Sequence, residues 1–214
     1  MSKKRILCFG DSLTWGYDPQ THVRFPEENR WTQVAQKLLG EEYLIIEEGQ
    51  NGRTIATDDP AEGEKNGHLY IGPCQESQRP LDLVIVMLGS NDCKKKFNYS
   101  GMDIAGELQI LVEKITTYNH FRCRDEFKIL LISPPHIGES IRDSWLGDCF
   151  GYESARKLSM ELAPWYQKVA DMYDCLFLDA ADYVKASTID GCHLDAENQR
   201  KFGEVIAGFI KENL

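Results

Sequence analysis

A serine hydroxyl attacks an acyl carbon when a base takes its proton, and the base works best when a third group fixes its orientation. Three short stretches carry those residue types. In Gly10-Asp11-Ser12-Leu13-Thr14-Trp15-Gly16, a serine follows an apolar run. On a strand-to-helix turn its hydroxyl is exposed, its backbone N–H is free, and the helix N-terminus favours developing negative charge. The Gly-x-Ser-x-Gly elbow is not met, because Thr14 stands where the second glycine would be. In Gly89-Ser90-Asn91-Asp92, the asparagine can turn its amide toward an oxyanion, and the aspartate can tie the loop to backbone N–H groups. In Asp190-Gly191-Cys192-His193, an acid three residues before a histidine can accept the Nδ1 proton and leave Nε2 as the base. His22, His68, His120 and His136 have no comparable partner in sequence. Taken alone, each stretch also reads as a plain turn, since Gly, Asp, Ser and Asn are common turn and N-cap residues.

The elements around these stretches decide between the two readings. Short aliphatic runs at residues 5–9, 43–46, 81–88, 127–133 and 175–178 are the five strand candidates. The central ones are apolar at every position, as strands covered on both faces should be. Between them, Trp31, Val34, Ala35, Leu38 and Leu39 recur at helical spacing, as do Ile104, Ala105, Leu108, Leu111, Val112 and Ile115. Ser100 and Asp103 form a capping signal for the second of these helices. A third helix is expected between Tyr152 and Tyr173, kinked or restarted near Pro164, and a last one after Asp195. This alternation predicts an α/β fold: a three-layer α/β/α sandwich on a five-stranded parallel sheet, in the flavodoxin-like order 2-1-3-4-5. Strands 1 and 3 are then neighbours, and their polar carboxyl ends face one crevice.

Residues 49–80 and 134–150 do not fit the alternation. The first is rich in Gly, Asp, Asn and Pro; the second opens on Pro134-Pro135 and carries Trp145, Leu146 and Phe150. Loops of this length are functional walls or interfaces, or else surface excursions with anchoring aromatics.

The chain has 214 residues, a length that suits one domain spanning 1–214. With 24 Lys and Arg against 34 Asp and Glu, its formal charge is −10. That sign argues against nucleic-acid and membrane-surface partners, and leaves a small molecule as the expected one. No apolar run approaches the roughly 20 residues that span a bilayer. The four-residue run Ile6 to Phe9 is too short for a signal-peptide core, so a cytoplasmic location is expected. The seven scattered cysteines form no Cys-x-x-Cys pair and fit reduced thiols.

Together the Ser, Asn and Asp-x-x-His elements, each at the end of its strand or before a helix, resemble an SGNH hydrolase of the GDSL esterase/lipase family. Residues 5–16, Glu47-Glu48-Gly49 and residues 81–85 are similar to the arylesterase and acyltransferase branch. The resemblance implies Ser12 as nucleophile, His193 as base and Asp190 as its orienting acid. It implies an oxyanion hole made by the backbone N–H groups of Ser12 and Gly52 and the side-chain amide of Asn91. Gln50-Asn51-Gly52-Arg53-Thr54 departs from the family pattern in lacking a second small residue. Asp11 and Asp92 would support the loops, and Trp15 and Cys192 would line the substrate pocket.

The implied activity is hydrolysis of short-chain acyl esters through an acyl-enzyme, with acyl transfer to alcohols or peroxide where water is disfavoured. Carbohydrate deacetylation, thioester cleavage and lysophospholipid hydrolysis use the same constellation. No cofactor is expected. Asp11, Asn91, Asp92 and His193 can be drawn as metal ligands, but paired-histidine signatures are missing. A flavodoxin-like flavin or nucleotide module would use Ser12 and Thr14 for phosphate and leave Asn91 and His193 idle. The 49–80 loop suggests self-association into a homo-oligomer.

Overall fold

The computed structural model describes residues 3–214. Along the chain these form β1 (Lys4–Gly10), α1 (Ser12–Trp15), α2 (Trp31–Leu39), β2 (Tyr43–Gly49), α3 (Gly67–Gln78), β3 (Leu83–Met87), α4 (Gly101–Tyr118), β4 (Lys128–Ser133), α5 (Gly147–Phe150), α6 (Glu153–Met172), β5 (Leu176–Asp179) and α7 (Ala196–Asn213). The sheet is parallel throughout, in the order β2-β1-β3-β4-β5. Among the described residues, no helix is long and apolar enough to cross a membrane.

Period-two alternation within apolar strands produces two cores, one on each face of the sheet. Leu7, Phe9, Val84, Val86 and Leu131 pack under α3, α4 and α6 with Ile71, Leu108 and Leu162. Ile6, Cys8, Ile85, Met87 and Leu130 pack on the opposite face under α2 and α7 with Trp31, Phe202 and Ile206. Helices α2 and α7 approach closely because Gly203 carries no side chain: a Cβ there would lie 2.7 Å from the Trp31 carbonyl oxygen. Trp31 meets Phe202 edge-on at 5.4 Å, and its N–H donates to the buried side chain of Gln199 at 2.9 Å. The capping box at Ser100 and Asp103 forms as expected.

Three expectations need correction. The 49–80 stretch contains α3, which has glycines at 67 and 72, Pro73 in its interior and few buried apolar side chains. With so narrow an apolar face, helical periodicity is absent from the sequence. Helix α6 runs through Pro164 unbroken and does not restart there. The third strand ends at Met87, because Leu88 and Gly89 already turn toward the crevice, and Gly89 takes φ +120°.

The strand register places the site. Gly10 pairs with both Gly49 and Met87, so β1, β2 and β3 end at one level and release their loops on the same side.

Candidate active site

Ser12 opens α1 directly after β1. Asp11 caps that turn, its Oδ1 accepting the Leu13 N–H at 2.9 Å. The Ser12 hydroxyl lies 2.9 Å from His193 Nε2, and His193 Nδ1 lies 2.6 Å from Asp190 Oδ2. The other carboxylate oxygen, Asp190 Oδ1, accepts the N–H groups of Cys192 and His193, each at 3.0 Å. One aspartate thus folds its own loop and orients the imidazole at the end of it. The loop is closed by the Ser187 N–H donating to the His193 carbonyl at 2.7 Å. Burial pushes the Asp190 carboxyl up, but the hydrogen bond from His193, the imidazole's charge and the two N–H donors outweigh it and leave the group below the usual carboxylate range.

Opposite lies the turn at Gln50–Arg53. The Gln50 N–H donates to the Gly10 carbonyl, and Arg53 Nη1 donates to the same oxygen at 2.9 Å. Gly52 sits in this turn at φ +80°, a conformation glycine adopts without strain. Among the described residues, the backbone N–H groups of Ser12 and Gly52 donate to no protein acceptor. Asn91 reaches the same space from the end of β3, its Nδ2 donating to the Arg53 carbonyl at 3.1 Å and to Asp11 Oδ2 at 3.3 Å. Burial pushes the Asp11 carboxyl up to about 6, against the lowering effects of the Leu13 N–H and of His193 and Arg53. Asp92 turns away from this space, its Oδ1 accepting the Ile55 N–H at 3.0 Å. No group of three or more His, Cys, Asp or Glu side chains converges as a metal site among the described residues.

These residues open into a cleft of about 310 Å³ lined by Ser12, Gly52, Asn91, Cys192 and His193. The two irregular stretches supply much of its wall: Asn51, Glu62 and Lys65 from the first, and Trp145, Leu146, Cys149 and Phe150 from the second. Burial, reinforced by the charges of Asp190 and Asp11, holds the Cys192 thiol well above its usual range, so it lines the wall as a neutral group.

Trp15 does not line the cleft. Its carbonyl is held by Arg24 Nε at 2.7 Å, and its ring lies beneath the Arg24 guanidinium at 5.6 Å. The pocket aromatic from that segment is Tyr17, which the sequence reading passed over. Its ring centroid lies 4.2 Å from that of His193. Lys94, also passed over, lines the cleft and pairs with Glu62 and Asp59. The signals were present but weak: Tyr17 stands five residues after the serine, and Lys94 three after Asn91.

The chain matches the model of the GDSL-like lipase/acylhydrolase family over residues 8–200 and belongs to that family. It is therefore an esterase or acylhydrolase, and its likeness to the SGNH hydrolases stands. Est24, a carbohydrate acetylesterase from Sinorhizobium meliloti, superposes with a TM-score of 0.93 at 37% identity, covering 99% of this chain and 100% of that one. The aryl esterase of M. smegmatis gives 0.92 at 36% identity, with coverage of 99% and 100%. The lipase/acylhydrolase from Enterococcus faecalis shares the fold at 0.71 and 20% identity, with coverage of 99% and 97%. A search of curated proteins gives no match.

Proposed function

We propose that the chain cleaves short-chain acyl esters through an acyl-enzyme on Ser12. The observation that carries this reading is the unbroken line from Ser12 Oγ through His193 to Asp190, with spacings of 2.9 and 2.6 Å. His193 Nε2 takes the hydroxyl proton as Ser12 Oγ attacks the ester carbonyl, and Asp190 stabilises the resulting imidazolium. The tetrahedral oxyanion is met by the N–H groups of Ser12 and Gly52 and by the amide of Asn91. Collapse breaks the ester bond, and His193 returns its proton to the departing alcohol. Water, deprotonated by the same imidazole, then releases the acid.

The apolar stretch of wall at Trp145, Leu146 and Phe150 supports a second outcome. An alcohol or peroxide held against it can take the acyl group in place of water, which makes the enzyme an acyltransferase or perhydrolase. Est24 bears on the leaving group: a carbohydrate acetate is a candidate substrate beside simple aryl esters.

Intact-mass measurement after fluorophosphonate treatment tests the mechanism. The expected result is one adduct that maps to Ser12 and is absent from Ser12→Ala. A folded wild type that shows neither an adduct nor a burst with p-nitrophenyl acetate would overturn it.

A further inference from the structure

Behind the oxyanion turn, two carboxyl groups meet without a cation. Asp92 is fully buried, and its carboxylate and that of Glu107 on α4 accept consecutive backbone N–H groups. Asp92 Oδ1 accepts the Ile55 N–H at 3.0 Å, and Glu107 Oε2 accepts the next N–H, from Ala56, at 3.3 Å. Glu107 Oε1 accepts the Thr57 hydroxyl, which in turn lies 2.6 Å from the Tyr99 hydroxyl. Of the lysines that follow Asp92 in sequence, Lys94 pairs with Glu62 and Asp59, Lys96 pairs with Asp59, and Lys95 is exposed. Asp92 Oδ2 is buried and has no hydrogen-bond partner as a carboxylate.

Two adjacent carboxylates, Asp92 fully buried and Glu107 half-buried, repel each other when both are ionised, and an acceptor-only oxygen facing another carboxylate gains no hydrogen bond. One proton resolves both problems. We propose that Asp92 and Glu107 share a single proton, carried on Asp92 Oδ2 and donated to Glu107, and that this acid pair clamps residues 55–57 behind the oxyanion donors. Each oxygen of the pair then has a partner. The adjacent Asn91 grips the same segment at the Arg53 carbonyl, so the end of β3 and α4 together fix the chain that leaves Gly52. Asp92 and Glu107 are positioning residues, since neither touches the cleft. The inference rests on the oxyanion role proposed for Gly52 and Asn91.

The other titratable groups acting on the pair are Tyr99, Tyr166 and Cys93, none of them a cation. Burial first, and then the charge of Glu107, hold Asp92 well above the ordinary carboxylate range, against the Ile55 N–H. Removal of the shared proton would leave two like charges, which push the segment off its clamp.

Infrared difference spectra of wild type, Asp92→Asn and Glu107→Gln, with kcat profiles on p-nitrophenyl acetate, test the proposal. At pH 8, where Asp11 is ionised, wild type should show the carbonyl stretch of a buried protonated carboxyl, and Asp92→Asn should lack it. The amide of Asp92→Asn reproduces the neutral acid: its oxygen accepts from Ile55 and its NH2 donates to Glu107. That variant should keep its melting temperature within about 2 °C, and its kcat should lack the alkaline fall expected of wild type. Asp92→Ala should lower kcat about tenfold with little change in KM, as a displaced oxyanion turn would. A protonated-carboxyl band that persists in Asp92→Asn overturns the proposal, as does an Asp92→Asn protein that loses as much stability as Asp92→Ala. The spectra read the proton without turnover, so a missing acyl-enzyme would refute the proposed function and leave the acid pair standing.

Discussion

The ring of Tyr17 covers the imidazole of His193, with centroids 4.2 Å apart and planes inclined by 33°. Its hydroxyl lies 2.7 Å from His22 Nδ1, and its N–H donates to the Ser12 carbonyl at 3.0 Å. Burial, with the charges of Asp190 and Asp18, raises the phenol above its usual range, so it stays neutral. In the mechanism proposed above, the ring face would stabilise the imidazolium formed during attack and limit rotation of His193. Tyr17→Phe keeps the face and loses only the contact with His22. We expect Tyr17→Phe to hold kcat/KM within about threefold and Tyr17→Ala to lose about tenfold. Steady-state kinetics on one acetate ester checks both, and equal losses would assign the effect to the hydroxyl.

Asn91 has a double duty. Its amide braces the Arg53 carbonyl and also faces the space where an oxyanion would form. On the proposed oxyanion role, Asn91→Ala removes a donor used chiefly in the transition state, so kcat should fall by about 10² to 10³ while KM moves little. A loss confined to KM would show that Asn91 binds the ground state instead.

Legibility followed periodicity. Five strands could be read because Val84, Ile85 and Val86 are apolar on both faces, and α4 could be read because Ile104, Leu108, Leu111 and Ile115 mark one stripe. Asp190 and His193 were legible because the acid, its N–H partners and the imidazole lie within one loop, where spacing alone predicts geometry. The reach of His193 to Ser12 spans 181 residues and follows only once the sheet order is known. Tyr17 and Glu107 were illegible for a different reason. Their roles depend on where a side chain points after packing, and Glu107 sits on α4 among other surface-type residues. Trp15 misled because it stands nearer Ser12 in sequence, while the chain turns its ring toward Arg24.

Asp11 should leave a signature in the pH dependence of stability. Burial raises its carboxyl to about 6, so the native state binds this proton more tightly than the unfolded chain does. Native stability from this group is therefore greatest in acid and is lost as pH rises from about 4 to 6, by about 3 kcal/mol in all. Asp11→Asn is neutral at every pH and lacks the loss. Its stability relative to wild type should rise by that amount between pH 4 and pH 7, measured by urea unfolding. A difference that stays flat across the window would mean Asp11 is ionised throughout.

Lys94 should act on the reaction through Glu62. The Lys94 side chain is 4% exposed, and its ammonium pairs with Glu62 and lies 3.8 Å from Asp59. Glu62 stands over the oxyanion turn: a Cβ added to Gly52 would lie 2.3 Å from its Oε2. With Lys94 present, that carboxylate is neutralised beside the proposed Gly52 donor. Lys94→Met keeps most of the aliphatic stem and removes the charge, leaving an uncompensated anion near the proposed Gly52 donor. At the effective dielectric of a partly buried site, the repulsion is about 1 to 3 kcal/mol, or roughly 5- to 150-fold in kcat. Adding Glu62→Gln removes the lone charge, so Glu62→Gln/Lys94→Met should regain most of the lost rate. Asp59 keeps Lys96 in both variants, which limits the cost to folding. Measured kcat values for wild type, the single and the double variant separate charge from packing, because a double variant as slow as Lys94→Met alone would place the effect in the shape of the cleft.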